Sequence, residues 1–524
     1  MKALYSQLLI ALIPVFLMSQ EAYHVFPEDH KQTPGSTSGD GSVQYPWNLQ
    51  TALNQSSEKV KDGDTIWLHE GIYNGRFVST LKGSSLNKIV VAAYKNEKVV
   101  LNGNVPSDRT SVLEVRGGHV EFKNFEITFL DEFPRSMKDK GFKVVGGINH
   151  VSGEDCKFIN LQIHNTPGSG FGSWKRAGGS TIESCIIFHN GYYSKRRGSG
   201  VGIYVQNESN KIRLIKNNII FGNYYKGIEV WSDNSNAKQE YVKNITIDNN
   251  VLFNSGLPSG KPRDNLIIAT NDNNGINIAK NIKVINNIFY HNTNLGIEIE
   301  NTQAPSVTLG FNKKALVRDI EMSNNLIIGR KDAIRFLYIK SLRFTNNVVY
   351  SGYIRFNKDV MNHITPSLWK FASNTYYTRS SRPIRIEGFK DYSLIEWRSI
   401  YGIDRNSRGK NFTEFNFNST INISKNEHKP NVYRVTLFNK EGKDVLVDFS
   451  NYQIKQGSTY IVKNIETDEV IISGKLSASK TVTVPMGNYN GTSKNFGVYK
   501  IHFSENGDVK NKSSILKRMF GWLF

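Results

Sequence analysis

An asparagine followed by an apolar triplet recurs along most of this chain, and it narrows the possible folds more than any other feature. The motif appears, sometimes imperfectly, as Asn124-Phe, Asn160-Leu-Gln-Ile, Asn218-Ile-Ile-Phe, Asn250-Val-Leu-Phe, Asn287-Ile-Phe-Tyr, Asn325-Leu-Ile-Ile, Asn347-Val-Val-Tyr and Asn374-Thr-Tyr-Tyr. Cys185 stands in the asparagine place of Ser184-Cys185-Ile-Ile-Phe188. Successive spacings are 36, 25, 33, 32, 37, 38, 22 and 27 residues. The shortest is about one turn of a parallel β-solenoid, and the excess elsewhere reads as loops. A second strand follows many motifs, as in Gly202-Ile-Tyr-Val-Gln, Gly227-Ile-Glu-Val-Trp, Gly296-Ile-Glu-Ile-Glu, Ala333-Ile-Arg-Phe and Tyr353-Ile-Arg-Phe. Apolar and polar residues alternate there, so one side chain points inward and the next outward. The asparagines then have a structural job. At an inner turn each side-chain amide bonds the amide and backbone of the next coil, satisfying polar groups that burial would leave unpaired.

The pattern resembles the right-handed parallel β-helix of the pectate-lyase-like superfamily. Gly39-Asp-Gly-Ser42 and Pro46-Trp-Asn-Leu-Gln-Thr-Ala-Leu53 are similar to the helical cap of such solenoids, and Val60-Lys-Asp-Gly-Asp-Thr-Ile-Trp-Leu-His-Glu-Gly-Ile-Tyr73 to a first coil. The resemblance runs over roughly residues 23–410 and includes Glu396-Trp397, Gly402-Ile-Asp404 and Ser407, a segment often seen after the last coil of carbohydrate-active relatives. The expected fold class is all-β, a solenoid with a small C-terminal antiparallel sandwich.

Texture divides the chain further. Met1–Lys2, the apolar run Leu8–Met18 and the small residues Ser19 and Ala22 read as a secretory signal peptide over 1–22. The run is too short for a transmembrane helix, so the expected location is extracellular or periplasmic. The solenoid with its cap is expected over 23–414 and a polar linker over 415–430. Six short alternating strands predict the sandwich over 431–504, followed by a basic amphipathic tail over 505–524.

Lys+Arg 66 against Asp+Glu 46 leaves a net charge of +20 over 524 residues. Such a charge suits a polyanionic partner, and export turns that expectation from nucleic acid toward an acidic polysaccharide, met by a monomer. Two cysteines exclude a disulfide scaffold and a thiolate zinc cluster. Cys156 and Cys185 are out of register on adjacent coils and are expected as free, buried thiols. His164, His189 and His291 recur after ladder positions and read as corner residues, and Gly168-Ser-Gly-Phe-Gly172 as a tight corner.

Coils stack about 4.8 Å apart, so outward residues at equivalent places form rows. One row reads Tyr204, Glu229, a residue near Ile267, Glu298, Arg335 and Arg355, and a second reads Gln206, Trp231, Ala269, Glu300, Leu337 and Asn357. Trp174, Lys175 and Arg176 fall one coil earlier, and Lys195-Arg-Arg197 belongs to a long connection expected to build a wall. Trp174 and Trp231 would stack on sugar rings. Lys175, Arg176, Arg197 and Arg355 would pair with uronate carboxylates, with Gln206 as a further contact. The resemblance implies an acidic-polysaccharide substrate, and the expected activity is that of a lyase, for which Lys175, Arg176, Arg197, Tyr204 and Arg335 could supply base, acid and neutraliser. Glu229, Asp233 and Glu298 offer hard oxygen ligands for Ca²⁺. An inverting hydrolase using Glu229 and Glu298, two coils apart, is the alternative. A third reading is a non-catalytic carbohydrate-binding or adhesin-like solenoid.

Overall fold

The computed structural model describes residues 20–95, 97–291, 305–415, 420–439, 441–486 and 495–504. Three parallel sheets, each of twelve strands among the described residues, wrap one apolar core. The first sheet runs from Ala22–Val25 to Trp369–Ala372, the second from Phe77–Ser79 to Ile384–Glu387, and the third from Gly71–Asn74 to Arg408–Asn411. Lys390–Tyr392 closes the second sheet antiparallel. Most strands have three to six residues, so each coil contributes one or two inward apolar side chains per sheet. Phe122 stacks on Phe158 with centroids 5.4 Å apart, and Phe171 of the second sheet meets Phe158 edge to face at 4.8 Å.

Both ends of the core are covered. Leu49–Leu53 is a single helical turn whose N-cap, Asn48, accepts from Thr51 N at 2.9 Å. Beside it Trp47 stacks on Tyr23 at 4.7 Å. At the other end Leu394–Tyr401 is a helix with a Ser393/Glu396 capping box and a fully buried Trp397.

From Cys185 onward the asparagine ladder exists as the spacing predicts. Asn218, Asn250, Asn287, Asn325, Asn347 and Asn374 are all buried, and each Oδ1 from Asn250 onward accepts both the backbone N–H and the side-chain amide of the preceding rung at 2.9–3.2 Å. Cys185 opens the column by donating its N–H to Asn218 Oδ1 at 2.9 Å. Ser407 Oγ and Asp404 close it against Asn374. Asn124 and Asn160 stand one position off. They share a column with Ser184 and Asn217, at φ of +53 to +66°, where asparagine tolerates the left-handed turn better than most residues. His164 is displaced in the same way, since it pairs with Phe188 and not with His189.

One strand differs from expectation. The rung between Leu266–Ile268 and Ile334–Phe336 on the second sheet is Val307–Leu309, not Gly296–Glu300, and Thr308 takes the place expected for Glu298. Residues 296–300, including Glu298 and Glu300, lie outside the described residues. Most of the signal segment and the whole tail over 505–524 do as well.

The C-terminal part has a five-stranded and a two-stranded antiparallel sheet. Thr420–Lys425, inside the stretch expected as linker, is an edge strand of the larger sheet. This part packs on the outer face of the third sheet, where Phe496 meets Phe253 and Tyr290, and Phe438 meets Phe415. The third sheet is thereby covered along its middle coils, whereas the outer face of the second carries a cleft.

Candidate functional site

The second sheet fixes one outward row by register, in the order Glu114, Asn149, Gly172, Tyr204, Glu229, Ile267, Thr308, Arg335, Arg355 and Arg385. Four of the six places match the expected row by residue, and Ile267 fills the fifth. A cleft of about 650 Å³ lies over Tyr204, Glu229, Ile267, Thr308 and Arg335. Its wall is the long connection anticipated from the sequence. Tyr192–Tyr193 and Gly198–Ser199 form a hairpin with Arg197 at its tip. Arg135 anchors the hairpin base by donating to His189 O at 3.0 Å and Gly191 O at 3.2 Å.

The floor is a charge lattice. Lys226 Nζ donates to Glu229 Oε1 at 2.5 Å, and both side chains are largely buried. The ammonium also lies 4.6 Å from the Tyr225 ring centroid and 5.4 Å from that of Trp231. Burial works against its charge, but Glu229, Asp264 and Tyr225 together hold its pKa above the ordinary lysine value. Arg335 donates to Asp264 Oδ1 at 3.1 Å and to Thr308 Oγ1 at 2.9 Å, and Thr308 in turn donates to Asp264. Tyr204 is raised well above a normal phenol by burial, then by Glu229 and Asp233. It therefore keeps its proton at neutral pH.

Two guanidiniums complete the site. Arg197 lies 3.8 Å over the Tyr225 ring and Arg263 lies 5.7 Å over the same ring. Neither has a carboxylate partner among the described residues, and the buried Nε of Arg263 finds no acceptor there. Trp231 and the half-exposed Phe311, edge to face at 5.0 Å, give the cleft an aromatic side.

Arg197, Tyr204, Glu229, Trp231, Asp233 and Arg335 thus come together around one cleft. Other expected residues sit elsewhere. Trp174 extends the platform outside it, packing on Tyr204 at 5.2 Å over the space that Gly172 leaves. Lys175 lies 3.8 Å over Tyr241, and Arg176 is exposed on the same edge. Gln206 is buried and donates to Tyr204 Oη and Trp231 O, both at 3.1 Å, so it holds the tyrosine in place. Arg355 is locked between Asp332, at 3.0 Å, and Glu387.

The oxygen ligands expected for Ca²⁺ do not assemble among the described residues. Glu229 is bonded to Lys226, Asp233 accepts from Asn271 at 3.2 Å, and the rung expected to bring Glu298 brings Thr308. Glu183, Glu427 and His428, two carboxylates and an imidazole, are the one group of three potential metal-ligating side chains brought together among the described residues, and Lys216 Nζ already lies between the two carboxylates.

Sequence reasoning missed Lys226, Arg263, Asp264 and Thr308. Lys226 and Asp264 stand two places before their strands, in register on adjacent coils, where Gly227 N bonds Asp264 O at 3.1 Å. A charged residue just before a Gly-Ile or Asn-Leu strand start was the available signal.

A family described as "Right handed beta helix region" matches residues 73–252. Among solved structures, pectate lyase Pel9A is 14% identical, with 77% of this chain and 83% of that chain covered at a TM-score of 0.45. A rhamnogalacturonan lyase is 14% identical over 77% and 91% of the two chains at 0.44. The GH136 lacto-N-biosidase from Eubacterium ramulus is 14% identical over 75% and 67% at 0.45. No curated protein matches the chain. The chain's own three sheets, together with the family match, make it a right-handed parallel β-helix.

Proposed function

We propose that this right-handed parallel β-helix is an exported protein that binds an acidic, uronic-acid-containing polysaccharide in the cleft and cleaves it by β-elimination. The observation that carries the reading is the pair Arg197 and Arg263, two guanidiniums over one tyrosine with no carboxylate partner among the described residues. Bidentate guanidiniums are the natural partners of a sugar carboxylate, and Trp231 and Phe311 offer the apolar surface that a pyranose face needs.

Neutralising the carboxylate acidifies the proton on the adjacent carbon, C5. Glu229 takes that proton. The C5–H electron pair becomes the C4=C5 double bond, the C4–O bond breaks, and Tyr204 delivers its proton to the leaving oxygen. Tyr204 and Glu229 are register partners on adjacent strands, so donor and acceptor stand about 4.8 Å apart at their backbones. Lys226 orients Glu229. No step uses a metal ion. The hydrolase version built on Glu229 and Glu298 has Thr308 where its second carboxylate was expected.

The test is an ultraviolet absorbance screen of the purified chain against alginate, pectate, glycosaminoglycans and ulvan, with and without calcium. The expected result is a rise on one polymer, from the unsaturated end that elimination creates. New reducing ends without absorbance would replace elimination by hydrolysis, and binding without new ends would make the solenoid an adhesin. For export, the mature N-terminus is expected before the first strand, which begins at Ala22.

A further inference from the structure

A second cluster of cations lies far from the cleft, where the C-terminal sheet packs on the third sheet of the solenoid. Arg434 and Lys500 are direct cross-strand partners in the five-stranded sheet. Like charges facing each other across an antiparallel pair repel, and this pair lies against the solenoid, where solvent screening is weak. Arg434 is 9% exposed, and its guanidinium donates to the main-chain carbonyls of Asn217 and Asn249, each at 3.0 Å. Its Nε is buried without an acceptor. Lys429, half-buried, joins from the turn before the strand.

These three side chains and Lys425 line a cavity of about 70 Å³, together with Asn160 and Asn217 of the solenoid, and no acidic residue lines it. Of the carboxylates on the surrounding segments, Glu183 is paired with Lys216 and His428 and Asp468 with Lys463, while Glu466, next to Ile465 of the lining, is buried, its pKa raised to about 8, and lies outside the lining. Burial and Lys500 bring Lys429 down to about 8, and burial lowers Lys500 itself.

We infer that this cavity binds a small oxyanion, sulfate or phosphate, which neutralises Arg434, Lys429 and Lys500 and fastens the C-terminal sheet to the solenoid. A water needs about 10–15 Å³ of such space, so the cavity takes one tetrahedral anion and excludes a sugar chain. The buried N–H of Arg434 and the two ammoniums supply donors that nothing among the described residues accepts. The site is independent of the cleft and of the reaction proposed there.

The experiment is thermal unfolding of the full chain in chloride buffer, titrated separately with millimolar inorganic sulfate and inorganic phosphate. Lys429→Gln and Lys500→Gln serve as variants, since Arg434 also carries packing contacts. The wild type is expected to gain about 2–4 °C in a saturable manner with at least one anion, and the larger response names it. Both variants lose that response, and in chloride alone they melt at or above the wild-type temperature because the repulsion is gone. An equal rise in wild type and variants would be general salting out and would overturn the inference. So would the absence of any rise, or variants that melt lower in chloride and respond to neither anion.

Discussion

Lys226 and Glu229 form an ion pair at 2.5 Å whose two side chains are almost wholly removed from solvent. Asp264, one coil on, and Arg335, two coils beyond Asp264, are tied together through Thr308. Breaking a buried pair by removing one member leaves an uncompensated charge and costs about 3–5 kcal/mol. Lys226→Met should therefore lower stability by that order in urea unfolding, and Lys226→Met with Glu229→Gln should recover much of it. Arg197→Ala, on an exposed hairpin tip, should stay within about 0.5 kcal/mol.

Kinetics should separate the cleft residues by role. Tyr204→Phe removes the proton donor and should lower kcat by about 10²–10⁴ with KM within a few-fold. Arg197→Ala should raise KM and lower kcat less than Tyr204→Phe does, because the carboxylate it holds in the substrate gains charge as the C5–H bond breaks. Steady-state rates on the polymer identified by absorbance measure both. Equal loss of kcat in the two variants would contradict this division.

The ladder makes an independent prediction. Asn287 Oδ1 accepts from the backbone and side-chain nitrogens of Asn250 at 2.9 and 3.0 Å. Asn287→Ala leaves the backbone N–H of Asn250 buried without a partner, at about 1–3 kcal/mol, while Asn250 Nδ2 keeps Ile215 O and Asp248 O. Thermal unfolding should show a loss far larger than that of a surface asparagine.

Acid should unfold the solenoid through its neutral histidines. Burial lowers His150 to about 3, aided by Arg213, and lowers His189 and His291 to about 4. Each folded value lies below the unfolded one near 6.5. The unfolded chain thus binds more protons, and the contribution is complete above pH 6.5 and lost as pH falls toward 4 and 3. Unfolding free energy should decline over that window, and His291→Gln should flatten part of the decline.

Glu466 has the opposite sign. Burial raises it to about 8, and its Oε1 is buried without a partner. Its contribution is present below the unfolded value near 4.5 and disappears as pH rises through about 8. Glu466→Gln should be more stable than wild type at pH 9, with little difference at pH 5.

The coils were legible because two periodicities coincide in this chain, the two-residue alternation of each strand and the asparagine column between strands. The column misled where it thins. Later coils carry doublets such as Asn249-Asn250 and Asn286-Asn287, one residue in a left-handed turn and the next in the ladder. Asn160 stands alone before Leu161, and its side chain belongs to the first kind. Gly296-Ile-Glu-Ile-Glu has the better strand pattern, yet Val307–Leu309 takes the rung and brings Thr308 between Asp264 and Arg335. Side-chain pairing across coils was not legible at all. Nothing in the local sequence says that Arg355 is spent on Asp332 and Glu387 while Arg197 meets no carboxylate among the described residues.

The glycines that open the second sheet draw a boundary between what this scaffold can vary and what it must keep. A Cβ at Gly202 would fall 2.7 Å from Gly227 O, and one at Gly227 would fall 2.4 Å from Asn265 O. One residue further along each of these strands, an inward isoleucine fills the core, and the next side chain, Tyr204 or Glu229, faces outward into the cleft. Innovation is thus confined to single outward letters and to the loops beside them. A descendant of this chain can acquire a new substrate by rewriting Tyr204 or the hairpin, or Lys226 and Glu229 together, without renegotiating the coil beneath.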